Sequence, residues 1–303
     1  MKILLFGKSG QLGWELERSL APLGEVVAPR RQDSELCGDL VDLEGVAQTV
    51  RKVRPEVVVV AAAYTAVDRA EDEAAIAGTI NAEAPGVLAA QAQALGAWLL
   101  HFSSDYVFDG SGTLPWREAD AARPLSEYGR SKLEGERRVA SQCERHLILR
   151  TSWLYSARGA NFATAILRQA RERDHMQVVD DQVGAPTSAE LLADVSAHVL
   201  RDAMAKPGLA GLYHVAAEGE TTRHGYARYL LERAAQAGVP LKTAPGRIEP
   251  VPTSKLPGAA ERPLNSRLDT TKLRSAFGLR LPHWTQGVDR MVAQAIGTVE
   301  TKA

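Results

Sequence analysis

An α/β fold built on an open, doubly wound parallel sheet is predicted for this chain of 303 residues, on three observations. Short apolar runs, Ile3-Leu4-Leu5-Phe6, Val57-Val58-Val59-Val60 and Leu147-Ile148-Leu149, recur through the first half, as expected of strands buried on both faces. Longer stretches of helical periodicity separate them, and strands alternating with helices predict a parallel sheet. A glycine-rich turn, Gly7-Lys8-Ser9-Gly10-Gln11-Leu12-Gly13, stands directly between the first run and the first helical stretch. From residue 151 the alternation becomes irregular, so a second, smaller α/β region is expected over 151–297, beside a first unit over 1–150 to which later segments return. Residues 298–303 read as a disordered tail.

Bulk composition narrows the function classes. Apolar residues make up 45% of the chain, enough for a full core. Charged residues are 24% and the formal net charge is −1, which argues against electrostatic capture of nucleic acid or an anionic membrane. Cys37 and Cys143 lie far apart with no CxxC pattern, so neither a disulfide framework nor a zinc site is implied. The histidines show no HxxxH or HxH pairing. The amino-terminal apolar run is too short for a signal peptide, and the run 57–63 is too short to span a bilayer. A soluble, cytoplasmic protein is expected.

Taken in order, residues 3–6 form the first strand and 12–23 the first helix. In the G-x-x-G-x-x-G turn joining them, one glycine makes the tight turn, one gives a pyrophosphate room to approach the backbone, and one lets helix and strand pack closely. The pyrophosphate then rests on the helix amino terminus, so the first unit reads as a Rossmann-type dinucleotide-binding domain. Residues 25–28 form a second strand, ending at Arg30 and Arg31 where a site for NAD usually offers an acid. Asp39 and Leu40 follow; they line an adenine pocket, or Asp39 caps a turn. A helix over 43–54 leads to the third strand, 57–60, whose carboxyl end carries the small residues Ala62 and Ala63, then Tyr64 and Thr65. Ligands bind at those carboxyl ends in an open parallel sheet. Residues 72–95 are mostly helical, with Asn81 either a polar anchor or a surface residue.

The fourth strand, 98–102, ends in Ser103-Ser104-Asp105-Tyr106. The Gly-, Pro- and acid-rich stretch 109–124 reads as an active-site loop. A helix runs over 128–143 and a fifth strand over 147–150, with Trp153 just beyond it on the ligand side, where a rim position favours ring stacking over burial in a core. Further helices are expected over 161–173, 190–204, from Thr221 or Thr222 to 237, and from about Thr285, with another strand at 212–215. Residues 179–187 and the proline-rich 245–263 read as loops, and Asn265-Ser266-Arg267-Leu268-Asp269 precedes a short helix.

The chemistry centres on Tyr128-Gly129-Arg130-Ser131-Lys132. A spacing of four places the phenol and the ammonium on one helix face. A nearby cation favours tyrosinate, so the phenol's pKa is expected to fall from about 10 toward neutrality. Such a phenol hands a proton to a carbonyl oxygen or takes one from an alcohol. The pair alone is weak; it gains weight from the glycine turn before it and from Ser104, placed to donate to a substrate carbonyl.

These features in this order resemble the extended short-chain dehydrogenase/reductase superfamily. Gly10-Gln11-Leu12-Gly13, Ser104-Asp105-Tyr106-Val107-Phe108-Asp109-Gly110, Asp181-Gln182-x-Gly184-x-Pro186-Thr187 and Arg262-Pro263-x-Asn265-Ser266 resemble one branch of it, the dTDP-4-dehydrorhamnose reductases. The resemblance implies reduction of the 4-keto group of dTDP-4-dehydro-6-deoxy-L-mannose to dTDP-L-rhamnose, a precursor of bacterial surface polysaccharide. It implies Tyr128 as proton donor, Lys132 as its partner on the nicotinamide ribose, and Ser104 sharing the carbonyl oxygen at a position usually held by Thr. Gly7, Gly10, Gln11, Leu12, Gly13, Arg30, Arg31, Asp39, Leu40, Ala62, Ala63, Tyr64 and Thr65 would border NADPH, with NADH the other option; Asp105, Tyr106 and Trp153 would touch the sugar nucleotide. Some relatives are dimers with Mg²⁺ held by interfacial glutamates. Glu15 and Glu190 match two of these, while the third position aligns with Val292, so both the metal and the choice between monomer and homodimer stay open.

Other readings of the same pattern are a 6-deoxytalose-type 4-ketoreductase, a nucleotide-sugar 4,6-dehydratase or epimerase, and a non-catalytic NADP-binding regulatory subunit. A dehydratase commonly carries Asp-Glu after the strand-four hydroxyl, whereas Asp105 is followed here by Tyr106.

Overall fold

The structure, a computed structural model, describes residues 1–31, 35–256 and 258–300, the last five of these as backbone only. Six strands form the main sheet: β1 (Lys2–Phe6), β2 (Glu25–Val27), β3 (Val57–Val60), β4 (Trp98–Ser104), β5 (His146–Thr151) and β6 (Gly211–His214). All pair in parallel, in the order β6-β5-β4-β3-β1-β2. The order reverses between β1 and β3, the switch point at whose carboxyl ends open sheets of this kind bind ligands in a crevice.

Both faces of the sheet are covered. On one, Ile3, Leu5, Val57, Val59, Leu100 and Leu147 pack against helices Gln11–Leu20 and Ala189–Ala205. On the other, Leu4, Phe6, Val58, Val60 and Leu99 pack against Leu43–Val53, Ala84–Leu95 and Glu127–Gln142. A second core gathers Trp153, Tyr155, Ile166, Tyr226, Leu230 and Trp284. The chain passes between the two cores more than once. It leaves the main sheet after β5, returns with helix Ala189–Ala205 and β6, and returns again with Leu273, Phe277 and Leu281.

Several boundaries differ from the sequence expectation for identifiable reasons. The first helix stops at Leu20 and tightens into a 3₁₀ turn, Ala21–Leu23, because Pro22 lacks an amide donor. The stretch 72–95 is not one helix: Ala74–Gly78 passes through a π turn, Thr79–Glu83, into Ala84–Leu95. Pro85 stands four residues after Asn81, so the ordinary bond to the Asn81 carbonyl cannot form. The expected loops contain short strands, Val183–Gly184 and Thr187–Ser188, and Ile248–Val251 pairs in parallel with Met176–Val179. The last helix begins at Trp284 and runs to Glu300, through the first three residues expected as tail; residues 301–303 lie outside the described residues.

Candidate active site

The glycine turn is demanded by backbone contacts. Gly7 has φ +95°, and a Cβ there would lie 2.4 Å from the Ala62 amide nitrogen. A Cβ at Gly13 would lie 2.0 Å from the Gly7 carbonyl oxygen, so helix Gln11–Leu20 could not approach β1. At Gly10 the nearest atom would be that same oxygen at an ordinary 3.4 Å, so the fold itself does not require glycine there. A ligand drawn onto the first amides of the helix does. That cradle fits a dinucleotide pyrophosphate. Leu12 belongs to the core beneath the turn. The Gln11 side chain is occupied elsewhere: its Oε1 accepts from Asn161 Nδ2 at 2.9 Å and from Ser156 Oγ at 3.3 Å, tying the turn to the second unit.

Beyond β2 the two arginines part. Arg31 donates to Asp39 Oδ2 at 2.9 Å, and Asp39 Oδ1 accepts from the Val41 amide at 3.2 Å. Asp39 is therefore a turn cap and ion-pair partner, and Leu40 is a core residue, 3% exposed, rather than a pocket wall. Arg30 is exposed at the mouth of the crevice.

Past β3, Ala62 lies against Gly7 and its amide donates to the Phe6 carbonyl. Ala63, Tyr64 and Thr65 continue along the crevice. Tyr64 is pinned by Asn81, which accepts from its amide at 2.9 Å and donates to its carbonyl at 3.0 Å. Asn81 also donates to Ser131 Oγ at 3.0 Å, and Ser131 donates to the Tyr128 carbonyl at 2.8 Å. Asn81 thus couples the floor of the crevice to the helix bearing Tyr128 and Lys132. Its own carbonyl, freed by the π turn, sits where a Cβ of Gly135 would be, at 2.1 Å. The Tyr64 hydroxyl is bonded to Glu73.

Helix Glu127–Gln142 starts at Ser126, whose hydroxyl accepts from the Gly129 amide at 3.2 Å. Gly129 lets the Tyr106 carbonyl pack against that first turn, where a Cβ would come within 2.2 Å. The structure brings Tyr128 beside Ser104 at the carboxyl end of β4, while Lys132 lies one turn further along the helix, near His101. The Tyr128 hydroxyl lies close to Ser104, which donates to Asp105 Oδ1 at 3.0 Å and accepts from the Tyr106 amide at 3.2 Å. The Tyr128 and Tyr106 rings meet edge to face at 5.4 Å. The expected depression of the Tyr128 pKa is corrected by these surroundings. Burial, the largest influence, and the Asp105 charge hold the phenol above its ordinary value, and only the nearby Ser104 hydroxyl pulls it down. Lys132 is 3% exposed, and burial lowers its ammonium to about 8, against the pull of Glu136.

Asp105 is 2% exposed and burial pushes its carboxyl up to about 6, opposed by Ser104 and the Arg223 charge; Ser266 Oγ lies close without a bond of normal geometry. A folded-state pKa above the unfolded one favours the fold below about pH 4 and costs stability as pH rises through 6. Asp105→Asn is therefore expected to raise Tm at pH 8, by up to about 3 kcal/mol of stability, and to leave it unchanged at pH 4. Equal effects at both pH values in thermal melts would refute the assignment.

Trp153 holds a left-handed backbone, φ 50°, a strained conformation for a non-glycine residue. Its ring is 8% exposed, with the Arg223 guanidinium stacked over it at 3.8 Å. A Cβ at Gly184 would lie 2.9 Å from the ring, so that glycine makes room for it. Trp153 is accordingly a core residue of the second unit carrying an arginine, and not an open stacking platform. Arg223, absent from the sequence reading, and Arg262, seen there only within a motif, both face Tyr106. They line a cavity of about 910 Å³ with Asp68, Phe162, Gln182 and Thr253, and Arg262 donates to Asp68 at 2.6 Å. No period or spacing marks Arg223; it opens an ordinary amphipathic helix, Arg223–Gln236. The expected active-site loop is docked: Trp116 stacks on Phe108 at 4.6 Å and donates to the Asn265 carbonyl at 3.1 Å.

Glu15 and Glu190 line one pocket, but side chains take up both carboxylates. Arg18 reaches Glu15 at 3.1 Å; Arg290 reaches Glu190 at 3.1 Å, and Gln294 donates to its other oxygen at 2.5 Å. Val292 is buried in the second core, so the last helix meets Glu190 through Arg290 and Gln294 instead. A guanidinium stands where a cation would have to bind, and these residues do not fit Mg²⁺.

Among known proteins, the family profile described as RmlD substrate binding domain matches residues 1–296. The chain is 51% identical over 298 residues to the dTDP-4-dehydrorhamnose reductase of Escherichia coli (strain K12), covering 98% of this chain and 99% of that protein. The crystal structure of a dTDP-4-dehydrorhamnose reductase from Clostridium acetobutylicum gives a TM-score of 0.87 at 32% identity, over 97% of this chain and 99% of that one. That of Bacillus anthracis, in complex with NADP, gives 0.85 at 32% identity with the same coverage.

Proposed function

The chain belongs to the dTDP-4-dehydrorhamnose reductase family, and we propose that its site reduces the 4-keto group of dTDP-4-dehydrorhamnose with Tyr128 as the proton donor. It is an NAD(P)H-dependent oxidoreductase. The observation that carries the mechanism is the arrangement at the end of β4: the Tyr128 hydroxyl beside Ser104, with Lys132 buried four residues further along the same helix. A dinucleotide resting on the turn from Gly7 to Gly13 supplies the hydride. The residues of the chain do the rest. With substrate bound, Ser104 would turn its hydroxyl from Asp105 to the carbonyl oxygen that Tyr128 also reaches. As negative charge grows on that oxygen, Tyr128 releases its proton to it. A raised phenol pKa suits this direction, because the proton stays on until an alkoxide, a far stronger base, develops. Lys132 stabilises the phenolate left behind.

The cavity beside Trp153 supports a nucleoside diphosphate sugar as the substrate class. Arg223 and Arg262 offer planar donors suited to a diphosphate, and Phe162 offers an apolar wall. The decisive assay follows NADPH oxidation with dTDP-4-dehydrorhamnose and identifies the product by NMR. The rhamnose configuration is expected; a 6-deoxytalose product or no turnover would refute the reading.

NADPH is the proposed cofactor. Arg30 stands exposed past β2, and Arg31 neutralises Asp39, an acid that would otherwise repel a 2′-phosphate. Loss of one charge-assisted bond costs about 1.5–3 kcal/mol, roughly tenfold or more in affinity. Arg30→Ala is expected to lower kcat/KM for NADPH by that factor and spare NADH. Arg31→Ala should do likewise by exposing the Asp39 charge. A wild type that prefers NADH, or a preference that neither substitution weakens, contradicts this.

The ion-paired state of Glu190 predicts activity that survives EDTA, measured as NADPH oxidation after dialysis against chelator. A loss restored by Mg²⁺ would overturn it.

A further inference from the structure

Behind the reacting phenol, a layer of buried charge lies between helix Glu127–Gln142 and the sheet. Lys132 and Glu136 occupy successive turns of one helix face and are 3% and 5% exposed. Arg150, on β5, is 4% exposed and grips Glu136 with two parallel bonds, Nε to Oε1 at 2.8 Å and Nη2 to Oε2 at 2.6 Å. Among the described residues Lys132 forms no ion pair within 4 Å, so both Glu136 oxygens are committed to Arg150 and none to Lys132.

The other groups around the layer cannot supply a counter-charge. On β4, His101 is buried 1% exposed, both ring nitrogens lack partners, and burial and the Lys132 charge keep it neutral. On β6, His214 beyond Arg150 is held neutral by burial and the Arg150 charge. The π turn presents uncharged Asn81, and its Glu83 meets Thr79 at 3.3 Å. Tyr128 shares the helix with Lys132, and Asp105 lies past the end of β4 bonded to Ser104. Among the described residues, Glu136 is therefore the one anion inside the layer.

We propose that Glu136, clamped by Arg150, is the positioning residue that keeps Lys132 a cation beside Tyr128. The inference rests on the reading of Lys132 as partner of the catalytic phenol. Its logic is a charge count. Without Glu136 the layer would bury two cations and no anion, which is strongly disfavoured. Arginine does not give up its proton in proteins, whereas a buried lysine does. The cost of losing Glu136 therefore falls on Lys132. Arg150 works in the opposite direction: it weakens the anion's hold on Lys132 and keeps Glu136 from closing into a direct pair that would draw the ammonium away from the phenol.

The test is the pH dependence of kcat/KM in Glu136→Gln, Arg150→Gln, the double variant and Lys132→Met, with Tm recorded at each pH. Glu136→Gln is expected to move the basic limb at least one unit lower, so that its deficit shrinks by about fivefold or more between pH 8 and pH 6. Should that variant fail to fold with its arginine unpaired, the comparison of Arg150→Gln with the double variant isolates Glu136 in the absence of Arg150. The limb of the double variant should lie at least one unit below that of Arg150→Gln. Coincident limbs in folded proteins, beside an inactive Lys132→Met, overturn the role of Glu136 and leave that of Lys132 standing. A Lys132→Met variant with wild-type rate and profile overturns both.

Discussion

Tyr128→Phe is expected to lower kcat by about 10²–10⁴-fold, the usual contribution of a positioned general acid. The substitution removes one oxygen from a half-buried ring and keeps the edge-to-face contact with Tyr106. Packing at the start of helix Glu127–Gln142 depends on Ser126, Gly129 and Asn81, none of which touches the hydroxyl. Fold and cofactor affinity should therefore survive, and the loss should appear in kcat with KM for NADPH little changed. Ser104 stays in place, free to turn its hydroxyl from Asp105 to the carbonyl oxygen in the proposed role, so some turnover should remain. Single-turnover rates and cofactor titration check this. A wild-type-like kcat would show that the proton comes from elsewhere, with Asp105, raised to about 6, the next group in reach.

How far the sequence alone reached depended on the kind of interaction. The main sheet was legible because its strands are buried on both faces and carry near-continuous apolar runs, such as Val57–Val60. The glycine turn was legible because backbone collisions at Gly7 and Gly13 leave no alternative residue. The proposed proton donor and its partner were legible as a spacing, Tyr128 to Lys132, but their electrostatics were not. Periodicity reports which face a residue occupies, not how deeply that face is buried, and burial reverses the expected direction at Tyr128. Arg223 escaped notice for the same reason, since only the folded chain sets it against Trp153 and Asp105. Short strands such as Val183–Gly184 depend on partners distant in sequence, here Thr221–Thr222 and Asn265–Ser266, and carry no local signal. The motif residues Asp181, Gln182 and Asn265 proved to be loop staples: Asp181 and Gln182 bind Thr253, and Asn265 binds the Leu114 carbonyl.

Lys132→Met should abolish most of the activity by a different route. Methionine matches the length of the buried stem, so the apolar contacts of the side chain are kept and the charge is removed. Transition-state charge then falls on a phenolate in a buried site with no cation beside it, and the loss of one such stabilising group costs about 10²–10³-fold in kcat. The variant should also gain thermal stability at neutral pH, because burial disfavours this ammonium and the fold no longer has to hold it. The sign follows from the lowered pKa. With a folded value near 8, below that of a free lysine, the charged form is destabilised in the fold at every pH where the unfolded chain is protonated. The gain should therefore be largest below pH 8 and vanish above about pH 10. Glu136 sets a limit on it, since its pairing with Arg150 is complete without Lys132 and the layer becomes neutral when the lysine is lost. A melting temperature that falls while kcat is retained would mean that Lys132 serves the fold and not the reaction. A fall in kcat with a rise in Tm is the signature of a charge kept in the core for chemistry.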